Sequence, residues 1–392
     1  MIFDLFHSIS DPVIGGQSLG AKKVYSNFFE QVVLAESLGV DTIWCAESHF
    51  SSETQKKTSV ATIPNFTGEV GINCDSFQLA QLLFSRTKKV NFGTAIHNIV
   101  GGSGGPLASA ERVKFLSFLN GNMGGWKRKL RMGVAAGRFP YQNTPFQIVP
   151  RDSSEKELWP YIKRYIFIEA LEIFLRLLGG EEVSSQQIKS WFLEPAEILD
   201  PGLRAKYQKP IEIKKRWDFE AIRLVPAVKE NEDLEIVLGS HDPMALDWGL
   251  KFRDLSLFNL SFTSPVKIEE LHMGMKEKCS KYNRVWSRSR LPRTVMVFVK
   301  KKRDQAYHLA EQVLETYVEA MRGTAQVPDI KTLLQRALVG DPSEIREQML
   351  QGGSRGIHPD DRLMLWFEFN QMDHQDIQDQ MKLFFEEVVG KL

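Results

Sequence analysis

The chain has 392 residues, of which 43% are hydrophobic and 25% charged, as expected for a folded protein with a sizeable core. Its 50 Lys and Arg residues nearly balance 49 Asp and Glu residues, which argues against nucleic-acid binding because no basic excess is present. The three cysteines are too few for a disulfide framework, and no segment reaches the roughly 18–20 apolar residues of a membrane span, so we expect a cytoplasmic protein without a membrane partner.

Short apolar runs that predict β-strands alternate along the chain with longer segments whose apolar residues recur at helical spacing. The predicted strands are Ile2–Ser8, Val40–Ala46, Val90–Ile96, Leu130–Val134, Leu234–Leu238, Leu255–Leu260, Thr294–Val299 and Leu363–Phe369. The predicted helices are Tyr25–Leu38, Ser76–Ser85, Leu107–Leu119, Trp159–Leu178, Pro243–Phe252, Glu269–Tyr282, Gln305–Met321, one that starts at Asp341-Pro342, and a closing helix over residues 377–388.

This alternation predicts an α/β fold with a parallel sheet, because βαβ units place strands side by side in the same direction. Eight such units over this length fit a (β/α)₈ TIM-type barrel with insertions. An open, doubly wound sheet is the rival architecture. It is less favoured because no GxGxxG motif follows the first strand.

We expect residues 1–392 to form a single barrel domain. Residues 181–229 are expected to be an insertion within it, since they contain four prolines and the charged run KPIEIKKRWDFE. They hold too few periodic apolar residues for a core of their own. The polar segment 51–73 reads as a loop after the second strand.

In a barrel, functional residues belong at the carboxyl ends of the strands. The end of the fifth strand reads GSHDP, in which Asp242 is a helix N-cap and Pro243 the first helical residue. The N–H groups of such a turn can bind an anion, and Ser240 adds a hydroxyl. An ordinary capped turn is the competing interpretation. After the fourth strand, AAGRF offers Gly137 for close backbone approach and Arg138 for neutralising a phosphate.

Glu47 and His49 stand two residues apart after the second strand, so their side chains point the same way if the strand extends that far. They fit a general acid–base pair, a polar group that closes the strand end, or a pair of metal ligands. We expect no metal, because no third and fourth ligands of matching type stand nearby. Ser48 lacks the GxSxG turn of a hydrolase nucleophile.

Taken together, the strand ends resemble a known family. The run AESLGVDTIWCAESHF (35–50) resembles the "AExxGFDxxWxxEHHF" signature of the bacterial luciferase-like flavin-dependent monooxygenases. The resemblance continues in order through GTAIHN (93–98), PLASAER (106–112), FLSFLNGN (115–122), MGVAAGRF (132–139) and GSHDPMALDWGLKF (239–252).

The resemblance implies a TIM-type barrel that binds FMN, usually as reduced flavin from a separate flavin reductase, and uses O₂ to oxygenate a small organic substrate. We also expect a homodimer. Carried over to this chain, it places a cis peptide bond between Ala95 and Ile96. The cofactor-binding residues that it implies are Thr94, Ala95, Ile96, Asn98, Ala136, Gly137, Arg138, Gly239, Ser240, His241 and Asp242.

The same resemblance implies His49 as the catalytic imidazole, with Ser48 as a weaker substitute for the first histidine of the family's EHHF motif. That substitution, and Ala135 where luciferase has a reactive cysteine, make light emission an unexpected activity. Two alternatives stay open: a hydride-transferring oxidoreductase that uses FMN or a deazaflavin, and a luciferase-like subunit without catalysis.

Overall fold

The computed structural model describes residues 1–50, 57, 63–123, 127–137, 139–227, 233–324, 327, 329–350 and 355–392. Each of the eight predicted strands is present, some with shifted ends. The strands are β1 Ile2–His7, β2 Asp11–Pro12, β3 Thr42–Cys45, β4 Gly68–Glu69, β5 Asn91–Asn98, β6 Leu130–Ala135, β7 Trp191–Leu193, β8 Ile211–Ile213, β9 Leu234–Leu238, β10 Leu255–Leu257, β11 Arg293–Val299, β12 Leu338–Gly340 and β13 Arg362–Trp366.

Helices separate most of these strands, as the periodicity predicted. They are α1 Ala21–Ser37, α2 Ser76–Arg86, α3 Gly105–Phe118, α4 Ser153–Leu178, α5 Pro201–Lys206, α6 Pro243–Gly249, α7 Pro265–Lys281, α8 Arg303–Ala320, α9 Ile330–Arg336, α10 Pro342–Leu350 and α11 His374–Leu383. Among the residues described, none of the helices is both long and apolar enough to cross a membrane.

The main sheet has nine strands in the order β10-β9-β6-β5-β3-β1-β13-β11-β12. An isolated parallel bridge also joins Asn259, just after β10, to Arg293 at the start of β11. With that bridge the eight predicted strands follow one another in chain order, and β12 is an addition beside β11. The predicted α/β fold of the TIM-type barrel class is therefore confirmed.

The chain divides into two compact units. The first consists of Met1–Ile96, Arg128–Gly133 and Ser256–Leu392, and the second of His97–Lys127 and Val134–Leu255. The expectation of a single domain over residues 1–392 stays a prediction.

A partly buried cluster of charged side chains joins strands of the first unit. Asp4 on β1 is fully buried, accepts the Trp44 indole N–H at 2.7 Å and pairs with Arg362 of β13 at 2.8 Å. Arg362 also reaches Asp41 at 2.7 Å, and Arg131 lies 3.3 Å from the same carboxylate. Burial alone would raise the pKa of Asp41, but Arg131 and Arg362 lower it to about 2.

The second unit is built on α4, which begins after its N-cap Asp152. The segment that we expect to be an insertion contains the antiparallel pair β7–β8 and packs against this helix. The Tyr165 hydroxyl of α4, for example, donates to Glu197 Oε2 at 2.6 Å. The Trp191 ring of β7 also lies 5.8 Å from the Tyr165 ring, so residues 181–227 have an apolar contact with α4.

Candidate functional site

His49 is held by the carboxylate that stands two residues before it. Its Nε2 lies 3.1 Å from Glu47 Oε1, and the Glu47 side chain is only 1% exposed. The second oxygen of Glu47 accepts the Ser76 N–H, at the start of α2, at 3.3 Å. Because a carboxylate accepts hydrogen bonds, this contact favours a proton on Nε2 and leaves the lone pair of the neutral ring on Nδ1.

Ser48 is fixed by the segment that precedes α2. Its N–H donates to the Asn73 carbonyl at 2.9 Å, and the Asn73 amide donates to the Ala46 carbonyl at 2.8 Å. Gly71 leaves room for the serine, since a Cβ at this position would stand 2.9 Å from Ser48 Cβ. The same position would be 3.8 Å from the Ser8 carbonyl oxygen, so the structure brings the ends of β1 and β3 together here.

The predicted ring-binding strand is β5. The peptide bond between Ala95 and Ile96 is cis, as the resemblance predicted. Thr94 is buried and its hydroxyl donates to the Gly133 carbonyl on β6 at 2.9 Å. Gly133 is needed for this approach, since a Cβ there would stand 2.1 Å from the Thr94 carbonyl oxygen.

A buried polar group at the ends of β1 and β13 was missed by the sequence analysis. Glu368 accepts the Ser8 hydroxyl at 2.9 Å and the Trp366 indole N–H at 3.0 Å. His7 lies 3.5 Å from the same carboxylate, and its Nδ1 accepts the Ile9 N–H at 3.0 Å. Burial lowers the pKa of His7 although Glu368 opposes the shift. The available signal was the polar run HSIS at the end of the first strand.

In the second unit, Asn98 organises the loop after β6. Its Oδ1 accepts the N–H groups of Val100 and Gly101 at 2.9 and 3.2 Å, and its Nδ2 donates to Asn143 Oδ1 at 2.9 Å. Asn143 in turn donates to the Ala136 and Gly137 carbonyls at 3.0 and 3.2 Å. These two asparagine side chains therefore fix the backbone of the loop.

Gly137 cannot carry a side chain without disturbing that arrangement. It has φ +72°, and a Cβ there would stand 2.3 Å from Asn98 Nδ2. The loop borders a cavity of about 210 Å³, which Phe139, Asn143, Trp159 and Lys163 also line. Arg138, which we predicted to neutralise a phosphate, lies outside the described residues.

The turn from Gly239 to Asp242 is a well-capped helix start. Asp242 Oδ1 accepts the Met244 and Ala245 N–H groups at 2.8 and 3.3 Å, and the Asp242 N–H donates to Ser240 Oγ at 3.2 Å. These three N–H groups already have acceptors, so the expectation that N–H groups of this turn bind an anion is wrong for them. A neutral hydroxyl that accepts through its oxygen still has its own proton to donate, so Ser240 keeps a donor.

Arg164 adds a cation beside this turn that local sequence did not reveal. Its guanidinium lies on α4 and contacts Asp242 at 3.2 Å through Nη2 and through Nε. It also lies 3.5 Å from Glu197 of the insertion. The negative charge of Asp242 is therefore partly compensated, which matters for any anion that approaches Ser240 and His241.

No group of three or more His, Cys, Asp or Glu side chains that could hold a metal ion occurs among the residues described. The residues predicted to form the site fall into two sets, one in each unit. His49, Ser48, Thr94, Ala95 and Ile96 belong to the first unit, and Asn98, Ala136, Gly137, Gly239, Ser240, His241 and Asp242 to the second.

Comparison with known proteins identifies the family of the chain. The sequence model described as luciferase-like monooxygenase matches residues 3–358. The chain therefore belongs to the luciferase-like monooxygenase family, as the strand-end motifs predicted. A search of curated proteins by sequence gave no match.

Solved structures share the fold over the full length of the chain. The monooxygenase RslO1 from Streptomyces bottropensis aligns with a TM-score of 0.72 at 16% identity, covering 100% of this chain and 99% of that one. The oxygenating constituent of 3,6-diketocamphane monooxygenase from the CAM plasmid of Pseudomonas putida, in complex with FMN, aligns at 0.63 with 15% identity, covering 100% and 99%. An F420-dependent secondary alcohol dehydrogenase in complex with an F420-acetone adduct aligns at 0.58 with 12% identity, covering 99% and 98%.

Proposed function

We propose that the protein is a flavin-dependent monooxygenase that uses reduced FMN and O₂ to oxygenate a small organic substrate. Membership of the luciferase-like family supports the reaction class, and the diketocamphane monooxygenase of the same fold was solved with FMN. Reduced FMN supplies the electrons that activate O₂, while the protein binds and orients the cofactor and excludes water.

The cavity beside Gly137 is the observation that carries the proposal. Its volume of about 210 Å³ is below the roughly 300–1,000 Å³ of pockets that enclose a whole ligand, so it fits one end of FMN. Lys163 provides a cation and the loop provides its backbone, and these groups suit the phosphate and ribityl end. Trp159 and Phe139 line the same cavity and add apolar surface to it.

The Gly239–Asp242 turn is proposed to bind the FMN phosphate together with the loop at Gly137. Because its Met244 and Ala245 N–H groups are bonded to Asp242, the Ser240 hydroxyl and His241 are the groups assigned to the phosphate there. Arg164 compensates the Asp242 charge and so reduces its repulsion of an anion. Arg138 stays in the proposal as a further cation.

Thr94, Ala95, Ile96 and Asn98 are proposed to follow the flavin ring along β5. His49 is proposed as the group that takes or gives a proton at the substrate, through Nδ1. The Glu47 contact at Nε2 fixes the tautomer that this role needs. Ser48 is proposed to donate a hydrogen bond beside it.

The cofactor assignment is tested by Gly137→Ala, with Gly180→Ala as the matched control. Both glycines have positive φ, +72° and +82°, so both substitutions introduce the same backbone strain. Only the Cβ at Gly137 would meet Asn98, whereas nothing lies within 4 Å at Gly180. We expect G137A to lose FMN affinity in anaerobic fluorescence titrations with reduced FMN, and G180A to retain it. Equal affinities would refute the placement of FMN beside this loop.

The F420-dependent dehydrogenase of the same fold favours deazaflavin hydride transfer as a second candidate. Parallel titrations with reduced FMN and reduced F420 distinguish the two cofactors. Substrate-dependent O₂ consumption then distinguishes a monooxygenase from both a dehydrogenase and a subunit without catalysis. Chemically reduced FMN, compared with FMN plus a flavin reductase, tests the reductase partner, and light scattering tests the proposed homodimer.

A further inference from the structure

A small cavity beside the start of β11 collects positive charge in the first unit. Its volume is about 20 Å³, which is enough for about one water-sized particle. Arg293, Arg336 and Arg355 line it together with Asn259 and Ser261. None of the described residues of its lining is an Asp or a Glu. None of the residues assigned above to the flavin lines it either.

Two hydrogen-bond donors in this lining are buried and unused. Asn259 is 1% exposed and Arg293 is 4% exposed. Asn259 Oδ1 accepts the Thr263 hydroxyl at 2.8 Å, which fixes the orientation of the amide. Asn259 Nδ2 and Arg293 Nε have no hydrogen-bond partner within the part of the chain that the structure describes. Buried donors without acceptors are rare in folded proteins, so these two indicate a missing acceptor.

The charge of Arg293 is only partly compensated. Its guanidinium lies 3.9 Å from Asp361, the carboxylate with which it pairs. The other oxygen of Asp361 is bonded to Arg288 at 2.6 Å, so one carboxylate serves two guanidinium groups. Burial lowers the pKa of Arg293, and the Asp361 charge opposes the shift.

The two other arginines donate to backbone carbonyls. Arg336 Nη1 donates to the Phe262 carbonyl, and Arg355 Nε donates to the Ala337 carbonyl at 2.8 Å. A carbonyl oxygen accepts a hydrogen bond but carries no net charge. These bonds therefore do not neutralise the positive charge of either guanidinium group beside the cavity. The cavity therefore combines unused donors, positive charge and very little room.

We propose that this cavity binds a single halide-sized anion, with chloride as the ion supplied by the cell. Arg293 Nε and Asn259 Nδ2 donate to the ion, while Arg336 and Arg355 stabilise its charge. Chloride is a single-atom anion and matches a cavity for one small particle, whereas phosphate and sulfate, with four oxygens each, exceed the space. The ion stabilises the contact between the segment after β10 and the start of β11, where Asn259 and Arg293 form their bridge.

The test compares unfolding in sodium chloride, sodium bromide and sodium gluconate at matched ionic strength. At a halide concentration ten times its Kd, the ratio of folded to unfolded protein should rise about elevenfold over gluconate. Asn259→Asp is the decisive variant. Its carboxylate keeps the acceptor for Thr263 and replaces Nδ2 by a negative charge beside Arg293, so the variant should lose the halide response without losing its fold.

Gln305→Glu is the matched control, because it adds the same charge at an exposed position of the first unit and should retain the response. Arg293→Met should also lose the response, and N259D decides the question if R293M does not fold. Crystals soaked in bromide should show an anomalous peak between Asn259 and Arg293. Identical unfolding of the wild type in chloride and gluconate means a water only and overturns the proposal, as does a halide response that N259D shares.

Discussion

Glu169 on α4 carries a carboxyl group that titrates near neutral pH. The residue is 3% exposed, and its two oxygens accept the Arg216 N–H of the insertion at 3.0 and 3.1 Å. Burial raises its pKa from 4.5 to about 7, although the Arg216 and Trp217 N–H groups and the Arg216 charge oppose the shift. Each pKa unit corresponds to about 1.4 kcal/mol, so ionising Glu169 in the folded protein costs about 3 kcal/mol more than in the unfolded chain.

The sign of the effect follows from the raised pKa. The stability contributed by protonated Glu169 is fully present below pH 4.5 and is lost as the pH rises through about 7. Glu169→Gln cannot ionise and keeps an oxygen for the Arg216 N–H. The variant should therefore gain stability relative to the wild type as the pH rises, by about 3 kcal/mol between about pH 4 and pH 8.

Urea unfolding of both proteins across that pH range measures the difference directly. Glu157→Gln on the same helix is the control, because Glu157 is exposed and its hydrogen bond to Lys206 lowers its pKa. E157Q should show no gain over the wild type as the pH rises. A difference between E169Q and the wild type that stays constant with pH would contradict the burial argument.

Three further substitutions test the site and the core. His49→Gln should keep FMN affinity and thermal stability but lower turnover by about 10²–10⁴-fold; lower stability with intact activity per folded molecule would make His49 structural. Gly71→Ala should lower turnover by displacing Ser48, whose Cβ would stand 2.9 Å from the new methyl, whereas Gly274→Ala, with open space around it, should not. Arg362→Met should cost about 3–5 kcal/mol in urea unfolding because Asp4 stays buried without its partner, and an unchanged midpoint would contradict this.

The strands were predictable because strands buried on both faces leave continuous apolar runs in the sequence. Their order in the sheet followed from the alternation of strands and helices along the chain. The ends of helices and strands were harder to predict where the terminal residues are polar, because the apolar pattern stops before or after the element does. The helix predicted from Trp159 begins at Ser153, since its first turns are polar and capped by Asp152. The last strand ends at Trp366 rather than Phe369, and Glu368 beyond it bonds to Ser8.

Some residues of the candidate site could be suggested from the sequence, and others could not. Gly137 and His49 could be selected as candidates from the sequence because each follows a predicted strand, and their roles in the site stay predictions. Arg164 was not predictable, because its contact with Asp242 joins positions far apart in the chain. The competing interpretation of the GSHDP sequence, an ordinary capped helix start, is confirmed for the Met244 and Ala245 N–H groups, which donate to Asp242. Long-range partners of this kind depend on packing, which local sequence does not encode.

The pairing of β1 has a consequence for synthesis on the ribosome. One edge of β1 pairs with β3, as in Leu5 with Ile43, and the other with β13, as in Leu5 with Leu365. The second edge therefore stays without its partner until β13, Arg362–Trp366, has been made, as does Asp4 without Arg362. An unpaired strand edge is a template for association with other chains. Nascent protein that stops short of β13 should therefore depend on chaperones to stay free of aggregates.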